Sequence, residues 1–168
     1  MGFVKGMDVS MAKALGAHGA SYYLDGQQDD LFRILKKCGT DMIRLRIWPD
    51  PYDASGAPYG GGNNDLQTTV ELAQRAKSSG MEVLLDFQYS DFWADPKKQR
   101  VPKQWEGMSL EEKTSALSEF TEESLNTLLD AGVDVGMVQV GNEINNGMAG
   151  ETDEANVYQL LKAGSAAV

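Results

Sequence analysis

The sequence predicts an α/β fold of four successive strand-and-helix units, and three observations support it. Apolar runs of strand length recur at Phe3 to Met7, Met42 to Trp48, Met81 to Leu85 and Met137 to Val140. Between them lie stretches whose apolar residues recur at helical spacing, which makes the strands parallel and the crossovers right-handed. The C-terminal end of every strand carries polar groups: Asp8 and Ser10, Arg44 and Arg46, Asp86 and Gln88, Asn142 and Glu143. Buried parallel strands are ordinarily apolar along their length, so polar ends on all four point to one shared site. That favours a (β/α)8 barrel over a doubly wound sheet. A whole barrel takes about 250 residues, so the four β/α units within 168 residues are expected to form part of such a barrel, one domain over residues 1–168.

Each helix follows from local signals. Leu31, Ile34 and Leu35 share one face of the first, Asp29 and Asp30 favour its start, and Gly39 suits its C-terminal cap. The second carries Leu66, Val70, Leu72, Ala73 and Ala76, with Asn63, Asn64 and Asp65 as capping candidates and Gly80 as its stop. Ser109 with Glu112 three residues on is a capping box. The third helix therefore starts at Ser109 and runs through Leu117, Phe120, Leu125 and Leu128 to Gly132. The fourth starts near Thr152 to Glu154 and carries Val157, Leu160 and Leu161, while Gly164 fits either a cap or a tightly packed helical position.

Composition removes several classes of function. Fifteen basic against 25 acidic residues give a net charge of −10, which argues against nucleic acid or an anionic membrane surface as partner. No apolar run is long enough to span a bilayer, and no signal peptide precedes the first strand pattern. The single Cys38 excludes an internal disulfide and is expected to be a small core residue at a helix end. His18 has no second histidine or cysteine cluster beside it, so no metal site is expected. Gly60, Gly61 and Gly62 lack the spacing of a phosphate loop and read as a flexible connection. Asp25-Gly-Gln-Gln-Asp-Asp30 reads as a turn entering a helix rather than a calcium loop.

What remains is a carboxylate at a strand end with arginines and aromatic residues around it. Glu143 stands just past the apolar strand Met137 to Val140, where a parallel sheet opens into its ligand crevice. Asn142, Asn145 and Asn146 add amide donors and acceptors. Trp48, Tyr89, Phe92, Trp93 and Trp105 all lie above strand ends, and aromatic faces among polar groups suit sugar rings. Trp93 is the strongest candidate for a sugar platform, whereas Trp48 and Phe92 fit core or rim packing equally well.

Five stretches carry a specific resemblance: Val4-Lys-Gly-Met-Asp-Val-Ser10, Ile43-Arg-Leu-Arg-Ile-Trp-Pro-Asp-Pro51, Gly61-Gly-Asn-Asn-Asp-Leu66, Leu84-Leu-Asp-Phe-Gln-Tyr-Ser-Asp-Phe-Trp-Ala-Asp-Pro96 and Met137-Val-Gln-Val-Gly-Asn-Glu-Ile-Asn-Asn-Gly-Met148. Together they resemble the arabinogalactan endo-β-1,4-galactanase family, glycosyl hydrolase family 53, whose members are retaining (β/α)8 barrels. The resemblance implies that residues 1–168 are the N-terminal half of such a catalytic domain, the first four β/α units of its barrel, with Glu143 as acid/base and the nucleophile on a later strand. It further implies that Asn142 holds a substrate hydroxyl and that Arg44 or Arg46 orders the carboxylates. Asp8, Asp86, Tyr89, Asp91 and Trp93 would line sugar subsites. Gln88 departs from the family's Asp-Phe-His-Tyr-Ser-Asp pattern, and an amide keeps a hydrogen bond but carries no proton or charge.

The implied partner is galactan or arabinogalactan, the implied location the cell exterior or envelope. No cofactor is implied for this half, and a calcium site in the other half stays open. A mannanase- or cellulase-type retaining β-glycanase and a non-hydrolysing carbohydrate-binding half-barrel are the alternatives. With only four strands, self-association through unpaired edges is expected.

Overall fold

The computed structural model describes residues 3–168. In chain order the elements are β1 (Gly6–Asp8), α1 (Ala12–Ala17), β2 (Tyr22–Leu24), β3 (Gln27–Asp29), α2 (Leu31–Lys37) and β4 (Met42–Ile47). They continue with α3 (Leu66–Ser78), β5 (Glu82–Phe87), α4 (Leu110–Asp130), β6 (Val135–Val140) and α5 (Glu154–Ala166). Strands β1, β4, β5 and β6 form one sheet in that order, parallel throughout. Sequential parallel strands with a helical crossover after each are the arrangement of a half-barrel.

The helix starts are those the capping signals require. Asp30 accepts from the backbone N–H groups of Phe32 and Arg33, and Asp65 accepts from that of Thr68. Ser109 and Glu112 form a reciprocal capping box, and Asp153 caps α5. Gly164 lies inside α5 rather than at its cap. A Cβ there would stand 2.6 Å from Val140 Cγ1 and 3.1 Å from Leu117 Cδ2, so glycine is what lets α5 approach β6.

The first connection is more elaborate than expected. It holds the short helix α1 and the β2–β3 hairpin, whose turn is Asp25-Gly26 with φ of 51° and 78°. Two left-handed residues are what a tight hairpin turn requires. Thus Asp25-Gly26 turns a hairpin, and the helix begins only at Leu31. Cys38 is a second correction: it follows the last turn of α2 and is exposed, because the apolar face of that helix is set by Phe32 and Ile34.

Strand alternation separates two faces. Ile43, Leu45 and Ile47 on β4 and Val83, Leu85 and Phe87 on β5 are fully buried, in a core shared with Leu72, Ala73 and Ala76 of α3 and Leu117 and Leu128 of α4. Each of these side chains larger than alanine contributes about 1.5–3 kcal/mol. The opposite face carries Arg44, Arg46, Asp86 and Gln139, with Arg44 in register with Asp8 and Arg46 with Asp86, which in turn pairs with Gln139. The interior of the half-barrel is therefore a polar ladder towards the strand ends, and the apolar mass lies between sheet and helices.

Strands β1 and β6 each have one neighbour in the sheet. Met7 and Met137, one on each edge strand, are both 48% exposed. Beside β1 a groove of about 580 Å³ is lined by Met7, Val9, Met11, Leu15, Leu31 and Leu35, an apolar surface with nothing packed on it among the described residues.

Candidate active site

The site lies at the C-terminal ends of the four parallel strands and is built around Arg44. One guanidinium nitrogen donates to Asp8 Oδ2 at 2.7 Å. The other donates to Asp86 Oδ2 at 2.6 Å and to Asn142 Oδ1 at 3.0 Å. Arg44 thus ties β1, β4, β5 and the turn after β6 together by charge-assisted hydrogen bonds. Asp8 is also held by the Ser10 N–H and hydroxyl at 3.0 and 2.8 Å. Burial works against its charge, but the Ser10 bonds and the two arginines outweigh it and hold its carboxyl below the usual range.

Asp86 responds in the opposite direction. Its side chain is fully buried, and burial pushes its carboxyl up to about 6 despite Arg44 and the Gln88 amide. Oδ1 of Asp86 has no hydrogen-bond partner, so a proton can sit there while Oδ2 continues to accept.

Glu143 follows β6 on a sharp turn. Gly141 has φ 87°, and a Cβ there would meet Ile144 Cγ2 at 2.7 Å. Glu143 itself is left-handed, with φ 49° and ψ 43°, an uncommon conformation for a residue with a side chain. Gln99 Nε2 donates to the carbonyls of Asn142 and Glu143 at 2.8 and 3.3 Å and pins this turn to the β5 loop. The carboxylate of Glu143 is exposed and makes no hydrogen bond or ion pair among the described residues. It lines a cavity of about 340 Å³ together with Arg44, Gln88, Trp93, Lys98 and Asn142.

The other predicted residues divide into two groups. Trp93 lies on the cavity, 38% exposed, with Arg46 stacked 4.0 Å from its ring centroid. Arg46 also donates to the Gly61 carbonyl at 3.3 Å, and a Cβ on Gly61 would stand 3.0 Å from Trp93 Nε1. Gly61 is therefore packed against the aromatic cluster and Gly62 against Asn64 and the Ser10 carbonyl, a correction to the reading of the triple glycine as a flexible connection, while a Cβ on Gly60 would meet open space. Trp48 is fully buried beneath Phe92 and Trp93, and Phe92 forms the exposed rim.

Tyr89 and Asp91 do not reach the cavity. The ring of Tyr89 is fully buried and stacked on Phe87, and its hydroxyl bonds Thr121 of α4 at 2.8 Å. It lies past the end of β5 in a left-handed conformation, φ 47°, which lays its ring over Phe87 in the helix layer. Asp91 accepts from the N–H groups of Asp50 and Lys103 at 3.0 and 2.8 Å, so it clamps two loops rather than lining a sugar site. Asn142 donates to the Ala94 carbonyl at 2.8 Å and accepts from Arg44, which leaves one amide hydrogen for a ligand. Sequence reasoning missed Gln99, Gln139 and the Ala94 backbone, all of which hold the Asn142-Glu143 turn.

With this geometry in place, the relatives are informative. Residues 4–168 match glycosyl hydrolase family 53. The chain belongs to that family. An endo-beta-1,4-galactanase of Bacillus subtilis (strain 168) is 52% identical over 167 residues, 99% of this chain and 39% of that protein. The Ignisphaera aggregans GH53 catalytic domain superposes with a TM-score of 0.93 at 44% identity, over 98% of this chain and 47% of that one. A structure from a study of two fungal beta-1,4-galactanases gives 0.88 at 32% identity, over 98% and 48%. The chain thus spans less than half the length of these family 53 relatives, and its four parallel strands fit half of their barrel.

Proposed function

We propose that this chain supplies the acid/base half of an endo-β-1,4-galactanase catalytic domain. The observation that carries the reading is the open carboxylate of Glu143, presented at a strand end between Arg44-held Asn142 and the Trp93 ring. The substrate class is β-1,4-galactan, including the arabinogalactan side chains of pectin. Stacking on Trp93 and hydrogen bonding to Asn142 and Arg44 suit a neutral sugar, as does a net charge of −10.

The mechanism is a retaining double displacement with two carboxyl groups about 5–5.5 Å apart. In the first step a nucleophilic carboxylate from a later strand bonds to the anomeric carbon. The Glu143 carboxyl gives its proton to the departing glycosidic oxygen. In the second step the Glu143 carboxylate takes a proton from water as that water attacks the anomeric carbon and releases the nucleophile. Arg44 holds Asp8, Asp86 and Asn142 in place beneath these events and transfers no proton itself.

The free edges of β1 and β6 and the apolar groove beside β1 are the surfaces through which the second half of the barrel closes the fold. In its absence the same edges support self-association. A polymeric substrate places the enzyme outside the cell or in its envelope, and among the described residues no helix is long and apolar enough to cross a membrane. Product release from galactan, mannan and cellulose, measured with the chain assembled with the second half of a family 53 barrel, tests the assignment. Release from galactan is expected; release confined to mannan or cellulose would refute it.

A further inference from the structure

A closed ring of hydrogen bonds runs beneath the cavity, and Gln88 is the member that closes it. The Ala94 N–H donates to Gln88 Oε1 at 3.1 Å, and Asn142 Nδ2 donates to the Ala94 carbonyl at 2.8 Å. Arg44 donates to Asn142 Oδ1 at 3.0 Å and to Asp86 Oδ2 at 2.6 Å. Gln88 Nε2 completes the circuit to that same Asp86 oxygen at 3.2 Å. Oε1 of Gln88 also accepts from Trp48 Nε1 at 2.8 Å, beneath the Trp93 platform.

The orientation of the amide follows from its partners. Trp48 Nε1 and the Ala94 N–H can only donate, so they face the oxygen, and Asp86 faces the nitrogen. The position needs an acceptor and a donor on one side chain, and Gln88 is only 1% exposed, so water cannot replace either. Around it stand Asp86 on β5, Arg44 and Arg46 on β4 and Asp8 at the end of β1, with Asp95, Lys98 and Glu143 lining the cavity. The amide is neutral at every working pH. Asp86 can protonate on its unpartnered Oδ1 without losing Oδ2 as acceptor.

We propose that Gln88 is a positioning residue that locks the Trp93 loop to the Asn142-Glu143 turn through this ring, and that its neutrality keeps the lock closed across pH. The proposal rests on the galactanase reading only for its kinetic readout. Its structural readout is the Trp48 indole resonance, assigned by its loss in Trp48→Phe.

The experiment compares wild type, Gln88→Met and Gln88→Glu in the chain assembled with the second half of a family 53 barrel. Variant-to-wild-type kcat on galactan and the Trp48 indole N–H shift are followed from about pH 4 to pH 8, the range in which carboxyl groups of this kind titrate. Gln88→Met offers neither bond. Its kcat is expected to fall roughly 100-fold at every pH, more than KM rises, because a displacement near 1 Å has that effect on a positioned group. Gln88→Glu restores the donor only when its carboxyl is protonated against Asp86. Its kcat ratio and indole shift should approach wild type in acid and depart from it as pH rises.

The proposal is overturned if Gln88→Met retains kcat within about threefold of wild type, well short of that loss. A Gln88→Glu variant that parallels wild type throughout, or fails to recover in acid, overturns it as well. Should Gln88→Met not fold, the Gln88→Glu pH course decides alone. If wild type hydrolyses no galactan, the galactanase reading fails, while the indole shift still tests Gln88.

Discussion

Arg44→Met is the most informative single perturbation of the polar ladder, because its effect should depend on pH in a defined direction. The guanidinium lies 2.6 Å from Asp86 Oδ2 and 2.7 Å from Asp8 Oδ2. Removing one partner of a buried ion pair typically costs about 3–5 kcal/mol. Arg44 keeps 28% of its side chain exposed while Asp86 keeps none, which places the expected loss at the lower end, about 3 kcal/mol where Asp86 is ionised both with and without the guanidinium.

Burial raises the Asp86 carboxyl from 3.8 to about 6, so the folded protein takes up this proton before the unfolded chain does. Wild-type stability from this group is therefore fully present at acid pH and declines as pH rises from about 4 to about 6. Without the guanidinium, burial acts with less opposition and Asp86 titrates higher still. The penalty from this charge is accordingly full above both values, shrinks as pH falls from the variant's higher value to about 6, and is lost below that. Near pH 5 the Asp86 charge is gone, and Arg44 keeps the partly exposed Asp8, a pair worth under about 1 kcal/mol, and its neutral hydrogen bonds to Asn142 and to Asp86 Oδ2.

Urea unfolding of the assembled barrel, followed by tryptophan fluorescence for wild type, Arg44→Met, Asp86→Asn and the double variant, measures this. The pairwise coupling should be about 2 kcal/mol near pH 7.5 and close to zero near pH 5. A penalty equal at the two pH values would show that Arg44 acts by packing and refute the reasoning.

Two further outcomes follow from contacts. Trp93→Ala should weaken galacto-oligosaccharide binding by roughly 1–2 kcal/mol, the scale of one aromatic contact, with a smaller change in Tm. Unchanged affinity with a large fall in Tm would return the ring to packing. Gly164→Ala should destabilise by about 1–3 kcal/mol, as overpacking does, although alanine gains about 1 kcal/mol of helix propensity. Thermal melting checks it, and a stabilised variant would show that α5 shifts freely on β6.

Much of this molecule is legible in the residues. The Ser109-Glu112 box and the Asp30 and Asp65 caps act locally, so three helix starts fall where local chemistry puts them. The half-barrel is legible because polar strand ends and apolar strand bodies answer to one architecture. The hairpin escaped because its three-residue strands are too short to show an alternation, although Asp25-Gly26 is its turn signal.

Tyr89 and Asp91 were misplaced for a different reason. Tyr89 turns to the helix layer through a left-handed backbone past the strand end, which no residue pattern announces, while the motif containing it suggested that the whole segment faces sugar. The hydrogen-bonded ring was out of reach, since it closes through the Ala94 backbone, 48 residues from Asn142. The polar ladder could be read from Asp8, Arg44 and Asp86, but not which of the carboxyls would be lifted by burial.

Hydrolysis of unactivated galactan by three preparations tests the central claim most directly: residues 1–168 alone, the same chain joined by the second half of a family 53 barrel, and that assembly carrying Glu143→Gln. No turnover is expected from the chain alone, because the proposed mechanism takes its nucleophilic carboxylate from a later strand. Turnover should appear on assembly and fall by about 10²–10⁴ with Glu143→Gln, the usual scale of general acid–base catalysis. Turnover by residues 1–168 alone, or an assembled Glu143→Gln within about threefold of wild type and so far outside that scale, would contradict the account.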